Sequence, residues 1–442
     1  MAIALLSSSG VVWSTASAQA PIYPETRPVF VGTRATAMGG AYAAVAEDVS
    51  ALIHNPAGLA QIRRTEVSVG LERVRWDGDT TYLGNQESTD LTTNRLTELG
   101  FAYPFPTLQG SLVFAASYHR LVPLDTNYLR SGVGFPGGTG DGIVSETESV
   151  DESGVIGAWQ AGLALDFSRE VSLGVSATIL SGQYDRQRNF DFTADDCVVD
   201  GVVVPCRDTQ IYHANADYSG YTGALGVLYK GDSGVRAAVT VQLPQHYEID
   251  GKGSEDVYWR TLEDTPEVLE DIIQDFKIVD ELDIPIQLTG GASWESRELT
   301  ASGQVTLTNW NDLESFDGTV RLSDGEFAYR STVAFRVGAE YRFLGTPLAL
   351  RAGFALEPVA YDFITTDAFQ GIQSRPTSED TQKYFTGGFG YALDPSVHLD
   401  FAFMRGSGSR TGRIVEAGDV RTTTEETTET RILAGVTFYQ TR

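Results

Sequence analysis

Ile284-Pro285-Ile286-Gln287-Leu288-Thr289-Gly290-Gly291-Ala292-Ser293-Trp294 is the stretch whose reading decides the fold. In an extended chain Ile284, Ile286, Leu288, Gly290, Ala292 and Trp294 fall on one side, and Gln287, Thr289, Gly291 and Ser293 on the other. Side chains alternate across a strand, so one face is greasy and the opposite face polar or small. Val171, Leu173, Val175, Ala177 and Ile179 oppose Ser172, Gly174, Ser176 and Thr178 in the same way. Further copies lie at Leu299 to Leu307, Val235 to Leu243 and Val397 to Phe403. From Thr65 onward about fourteen such segments can be placed, an even number as in single-chain membrane barrels. They lie near Thr65 to Trp76, Arg95 to Phe105, Ser111 to Leu121, Val155 to Phe167, Val171 to Tyr184, Tyr212 to Lys230 and Val235 to Leu243. The second half holds Ile284 to Glu295, Leu299 to Trp310, Ser331 to Phe343, Pro347 to Glu357, Lys383 to Leu393, Val397 to Arg405 and Thr430 to Gln440.

The connections carry the orientation. Pro106 to Gly110, Ser168 to Glu170, Gly231 to Gly234, Ser296 to Glu298, Leu344 to Thr346 and Asp394 to Ser396 are short, and they alternate with longer ones. Outer-membrane barrels have short periplasmic turns and long outer loops, so the expected fold is all-β, a transmembrane antiparallel β-barrel of about 14 strands in a bacterial outer membrane. A soluble sandwich also alternates its faces, but it buries the apolar one and has no need of membrane-crossing strands or such uneven connections. Tyr103, Phe105, Tyr118, Tyr229, Trp294 and Trp310 near strand ends suit interfacial girdles.

Composition narrows the function. Of 442 residues 42% are hydrophobic, and beyond the N-terminus no run of 18 apolar residues exists that would form a membrane helix. A net charge of -27, from 59 acidic and 32 basic residues, argues against nucleic acid as a partner. The acid concentrates at Asp141 to Glu152 and Glu255 to Asp283, between the expected strands. It reads as a solvated loop surface or, more sharply, as a surface bridged by divalent cations to anionic lipid such as lipopolysaccharide. The five histidines, His54, His119, His213, His246 and His398, are scattered, and no G-x-S-x-G nucleophile motif is present. No enzyme, cofactor or metal site is expected.

MAIALLSSSGVVWSTASAQA opens the chain with an apolar stretch and then Ala16-Ser17-Ala18, a small-residue cleavage pattern, so residues 1–18 are expected to be a secretory signal cut after Ala18. A positively charged start is missing from it. Export suits the two cysteines. Cys197 and Cys206 flank Asp200-Gly201, a two-residue hairpin signal that folds the segment back and brings the sulfurs together, so a disulfide is expected.

Residues 19–64 do not alternate. Arg34 to Ala46 is small and weakly helical, Asp48 or Ser50 can cap a short helical turn, and Asn55-Pro56-Ala57-Gly58 marks a turn. Small residues allow such a segment to pack inside a lumen, as an N-terminal hatch ahead of the barrel at 65–442. The order Arg34, Ala35, Met38-Gly39-Gly40-Ala41, Glu47-Asp48, Ser50-Ala51 and Asn55-Pro56-Ala57-Gly58-Leu59 resembles the hatch of the long-chain fatty acid transporter family of the FadL and TodX type. The resemblance implies a signal peptide, a hatch and a fourteen-stranded barrel. It also implies passive transport of a hydrophobic small molecule, a fatty acid or hydrocarbon, by a monomer. Members of the same fold that serve as secretion-system shuttles or attachment barrels (PorV type), binding protein partners, are the alternative.

Two further sets of residues are candidates for ligand contact. Thr265-Pro266-Glu267 starts a helix in the expected way, and Leu269, Ile272, Ile273 and Phe276 would form its apolar stripe, either covering the barrel rim or receiving ligand. Alternation places Arg336 and Arg342 on the inward face with Glu340, and Arg351 with Glu357 on the next strand. They read as an interior ion-pair network or as a clamp for a ligand carboxylate.

Overall fold

The computed structural model describes residues 30–134, 143–199, 202–262, 268–310, 314–315, 327–329, 331–363, 366–367, 370–371, 381–416 and 419–440. The expected signal peptide and its cleavage after Ala18 lie outside these residues, as do Asp200-Gly201 and Thr265-Pro266-Glu267.

Outward apolar side chains and inward small polar ones force the strands into a ring, and fourteen antiparallel strands close it. The first five are β1 (Glu66–Tyr82), β2 (Asn85–Pro104), β3 (Leu112–Pro123 continued by Thr126–Gly134), β4 (Val144–Asp166) and β5 (Val171–Val199). Next come β6 (Val202–Lys230), β7 (Val235–Gln242 continued by Gln245–Thr261), β8 (Val268–Ile284 continued by Gln287–Glu295) and β9 (Leu299–Thr308). The ring is completed by β10 (Thr332–Arg342), β11 (Leu348–Glu357), β12 (Gln382–Asp394), β13 (Val397–Glu416) and β14 (Asp419–Tyr439). Closure is made by β14 on β1, paired from Tyr439 opposite Glu66 to Thr423 opposite Tyr82.

Leu288 and Trp294 are exposed on the outer surface while Ser293 is buried inward. That polarity is the reverse of a soluble core and requires a lipid surround. Among the described residues no helix is long and apolar enough to cross a membrane; the chain crosses with strands. All six short connections gather on one rim, where the expected turns lie.

On the opposite rim the structure corrects the expectation of long loops at several connections, while those between Thr308 and Thr332 and between Glu357 and Gln382 stay long. β5 and β6 are 29 residues each, whereas about 9 to 11 residues suffice to cross a bilayer. Most of each strand therefore stands outside the membrane. The acidic segments expected as loops are largely β-ladder: the described part of Asp141 to Glu152 belongs to β4, and most of Glu255 to Asp283 to β7 and β8. The inner faces of these extensions are packed, with Tyr212, Ala214, Ala216, Tyr218 and Ile249 buried. Their outer faces meet water rather than lipid, so the outward apolar stripe of the crossing segments stops and the pairing of backbone groups reveals the strands. The β1–β2 connection is likewise a two-residue turn, with Leu83 at φ 48° and Gly84 at φ 80°, the left-handed pair that a tight hairpin uses.

The helix expected around Leu269, Ile272, Ile273 and Phe276 is a strand, the outer part of β8, paired along β7 from Val268 opposite Arg260 to Ile284 opposite Gln245. Residues four apart share a face in strands as well as in helices, so Ile272 with Phe276 did not discriminate, and the β-branched Ile272, Ile273, Ile278 and Val279 favour the strand. Ile273 consequently turns to solvent, while Phe276 stacks on Tyr212 with ring centroids 5.5 Å apart.

Cys197 and Cys206 are joined in a disulfide, with Cα atoms 5.9 Å apart, at the outer end of the β5–β6 hairpin. A double serine variant is expected to lose about 2 to 3 kcal/mol of local hairpin stability and nothing from the barrel. Hydrogen exchange would rise near the outer tip and stay unchanged in residues 171–184.

Candidate functional site

Residues 30–64 lie inside the ring, in contact with β3 to β6 on one side and β11 to β14 on the other. Their core is small and dry: Ala35, Met38, Tyr42, Leu52, Leu59 and Ala60 are buried. Three short helical turns organise the segment, at Thr33–Ala37, Ala51–His54 and Pro56–Gln61. Such irregular backbone leaves many carbonyls and amides without internal partners, and buried ones must find partners elsewhere. The inward Ser, Thr and Gln of the strands supply them. Ser176 donates to the Leu52 carbonyl (3.0 Å), Thr240 to His54 (3.1 Å), Ser302 to Ala41 (2.7 Å) and Thr386 to Ala37 (3.1 Å). Gln304 accepts from the amides of Tyr42 and Ala43 at 3.1 and 3.0 Å.

The expected motif residues occupy particular seats. Asn55 accepts from the Ala57 amide at 3.1 Å, starting the turn whose first residue is Pro56. Its amide group donates to the carbonyls of Ala43 (3.0 Å) and of Val227 in β6 (3.3 Å). Gly174 and Gly226 are opposite one another in the β5–β6 ladder. A Cβ on Gly226 would lie 2.0 Å from Asn55 Oδ1, and one on Gly174 2.2 Å from the Pro56 carbonyl carbon. Gly338 and Gly353, opposite one another in β10 and β11, form a second bare rung, where a Cβ would meet Met38 at 2.3 Å and Gly39 at 2.2 Å. Gly39 and Gly40 turn there at φ 65° and 72°. Gly58 packs on Ala46, the space for a Cβ being filled by the Ala46 carbonyl at 2.5 Å.

Asp48 accepts from the Ser50 amide (3.0 Å), the Ser50 hydroxyl (2.5 Å) and the Tyr42 hydroxyl (2.6 Å). Burial pushes its carboxyl up despite these bonds. His54 donates an imidazole N–H to the Val31 carbonyl at 2.9 Å. Burial, opposed by that hydrogen bond, lowers the imidazole to about 4.

The neutral ring is therefore the seated form, and protonation favours release. Because the pKa is depressed, His54 adds its full contribution above pH 6.5, and that contribution is lost as pH falls toward 4. At pH 5 the loss is about 2 kcal/mol, roughly 30-fold in local opening. Hydrogen exchange of residues 43–61, corrected for intrinsic rate, should show this rise in the wild type and not in His54→Gln.

The three arginines expected on the inward face are there, each already paired. Glu340 sits at the centre and accepts from Arg34 in two bonds (2.9 and 3.1 Å), from Arg342 (2.8 Å) and from Arg351 (2.7 Å). Arg351 also reaches Asp400 at 2.5 Å, Arg342 reaches Glu295 at 3.0 Å, and Arg336 pairs with Glu357 at 2.6 Å. Arg34 extends the network into the N-terminal segment through Glu47 at 2.7 Å. Arg34 and Glu47 stand in the motif that carries the resemblance, but their role in this ion-pair network shows only in their placement opposite β10.

A second cluster was missed in the sequence. Arg120 pairs with Glu72 (3.3 Å) and Asp125 (2.9 Å), and Arg431 with Glu429 (2.6 Å) and Glu72 (3.8 Å), all of them buried. Arg120 and Arg431 line a small enclosed cavity with Phe30, Leu121, Pro123 and Leu433. It adjoins a seam in the wall. The β2–β3 ladder stops at Glu98 opposite His119, and beyond it β3 breaks between Pro123 and Thr126, where proline withholds an amide hydrogen. Side chains bridge the seam instead: Arg95 donates to the Gly154 carbonyl (3.0 Å) and pairs with Asp125, and Asn127 donates to the Asp90 carbonyl (3.1 Å).

A family model described as outer membrane protein transport protein (OMPP1/FadL/TodX) matches residues 11–437. Among solved structures, a Pseudomonas aeruginosa FadL homologue is 14% identical over 94% of this chain and 99% of its own, with a TM-score of 0.65. The P. putida toluene transporter TodX is 13% identical over 94% and 100%, with a TM-score of 0.61. The Ralstonia pickettii toluene transporter TbuX is 17% identical over 92% and 98%, with a TM-score of 0.56. At such identities the likeness is one of fold. No curated protein sequence matches the chain.

Proposed function

The chain belongs to the outer membrane transport proteins of the OMPP1/FadL/TodX family, and from that premise we propose that it passes hydrophobic small molecules, hydrocarbons or fatty acids, across the outer membrane. Residues 30–64 act as the hatch. An apolar molecule is poorly served by a water-filled pore, so a dry lumen with a gated exit suits it. Transport down a gradient needs no energy source and no reaction.

The observation that carries this reading is the seam between β2 and β3. It adjoins the small cavity, about 10 Å³, that Glu72, Arg120 and Arg431 line together with Phe30, Leu121 and Leu433, and there the wall is held by side chains rather than by a backbone ladder. Exchanging a few side-chain bonds costs much less than breaking a ladder, and lipid lies immediately outside. The seam is thus the proposed lateral exit, with the hatch below it setting access.

Mass spectrometry of small molecules retained by gently purified protein tests the proposal. A retained hydrocarbon or fatty acid is the expected result. An empty lumen with a co-purifying protein would favour the secretion-partner reading instead. A carboxylate clamp at Arg336, Arg342 or Arg351 would require ligand to displace a resident carboxylate. Arg351→Ala, which leaves Asp400 and Glu340 one cation short, is expected to change fatty-acid affinity by less than about threefold while lowering stability.

A further inference from the structure

Directly below the hatch, at the rim of short turns, lies an open cleft of about 480 Å³. Its lining gathers Lys230, Arg236, Arg297 and Arg342 with Asp232 and Glu295, and Lys230 is paired with Asp166 at 2.8 Å. Arg236 and Arg342 form the inner wall. Glu47 of the hatch approaches each of them at 4.0 Å while its short bond goes to Arg34 at 2.7 Å. Burial works to raise the Glu47 carboxyl, but Arg34, Arg236 and Arg342 outweigh it and hold it below the usual carboxylate value. Of the carboxylates on Arg236 and Arg342, Glu295 (2.5 and 3.0 Å) and Glu340 belong to wall strands. Glu47 is the one on the hatch.

We propose that this cleft is a binding site for a carboxylate anion, and that such an anion competes with Glu47 for Arg236 and Arg342, so that filling the cleft loosens the hatch. The chemistry follows from the donors. Guanidinium groups present paired N–H donors to carboxylate oxygens, and contacts of 4.0 Å leave room for a better-placed acceptor. A ligand can only shift the hatch by binding one of its states better than the other. Competition with a hatch side chain is such a difference: the anion binds fully only when Glu47 has withdrawn. The carboxylate can belong to a free anion of the periplasm or to a cargo molecule that reaches this rim instead of leaving by the seam. The inference rests on the hatch reading for residues 30–64.

Hydrogen exchange of the purified full chain, measured across residues 41–54 at pH 7 with butyrate, decanoate or decanol, tests it. Decanoate should raise exchange about two- to fivefold, the size expected for losing weak ion-pair contacts, and decanol should not. A matching response to butyrate identifies free anions as ligand, and a response to decanoate alone identifies the headgroup of cargo; both support the site. Glu47→Gln should raise exchange without ligand and abolish the response. Should that variant not fold, Arg297→Gln, on the rim, should weaken half-saturation severalfold. Equal effects of decanoate and decanol, or no effect of either carboxylate, overturn the proposal. If both ligands displace a fluorescent apolar probe while hatch exchange stays flat, only the cleft is wrong; if neither does, the transport reading falls too.

Discussion

Glu340→Gln is expected to cost about 3 to 5 kcal/mol, the range found when one partner is removed from a buried ion pair. Glu340 is 1% exposed and is shared by Arg34, Arg342 and Arg351. Each arginine keeps one other carboxylate, at Glu47, Glu295 and Asp400 respectively. The cation excess, rather than a wholly orphaned group, therefore sets the cost, and the lower half of the range is expected. The loss divides unequally between wall and hatch. Arg342 and Arg351 belong to strands with full ladders, whereas Arg34 has no other wall carboxylate within ion-pair distance among the described residues. Thermal unfolding in micelles should shift down modestly, while proteolysis of residues 30–64 should accelerate much more. Equal losses at both places would show that the network serves the barrel alone.

Gly174→Ala combined with Gly226→Ala is expected to unseat the Asn55-Pro56-Ala57 turn while leaving the barrel closed. Each added Cβ would arrive within 2.0 to 2.2 Å of backbone or of the Asn55 side chain, closer than any relaxation of a flexible tip can absorb. Overpacking a close-packed site costs about 1 to 3 kcal/mol per position. Because both methyl groups press on one motif, the two costs are not additive. The double variant should lose the Asn55 bond to Val227 and expose residues 43–61 to exchange. Strand content by circular dichroism should stay at the wild-type value. Gly290→Ala is the matched control, since a Cβ there meets nothing within 4 Å.

The two predictions bear on how the lumen is built. A hatch of irregular backbone fits a barrel only if the wall yields space at its bulkiest turns and hydrogen bonds at its loose carbonyls. Bare glycine rungs at β5–β6 and β10–β11 yield the space, and inward Ser, Thr and Gln yield the bonds. Polar inward residues in this barrel thus bond the backbone of residues 30–64.

Much of this was legible beforehand, and unevenly. Lipid imposes an apolar outward face wherever a strand crosses, so alternation at Ile284 to Trp294 and Val171 to Ile179 located the crossing segments. Tight turns need particular residues, so the six connections of the inner rim could be placed from Gly, Pro, Ser and Asp. Beyond the bilayer neither constraint acts. There outer strands look like loops in the sequence, and Leu269 to Phe276 fits a helix as well as a strand, because an i, i+4 pair suits both periods. Arg336, Arg342 and Arg351 could be assigned to the inward face with Glu340 and Glu357, but not which arginine takes which carboxylate, nor the further partners Arg34, Glu295 and Asp400.

By itself the sequence determined what depends on a residue and its immediate surroundings: strand polarity, turn position, a hairpin that closes Cys197 on Cys206, and an N-terminal segment that does not alternate. Only the tertiary structure decided what depends on register and on elements distant along the chain. Gly174 faces Gly226, Arg34 meets Glu340, and β3 parts from β2 beside Pro123, because ring closure sets which rung stands opposite which. The physical reason is range. Alternation and turn chemistry act over a few residues, whereas these pairings join positions tens to hundreds of residues apart, and only the closed barrel brings them into contact.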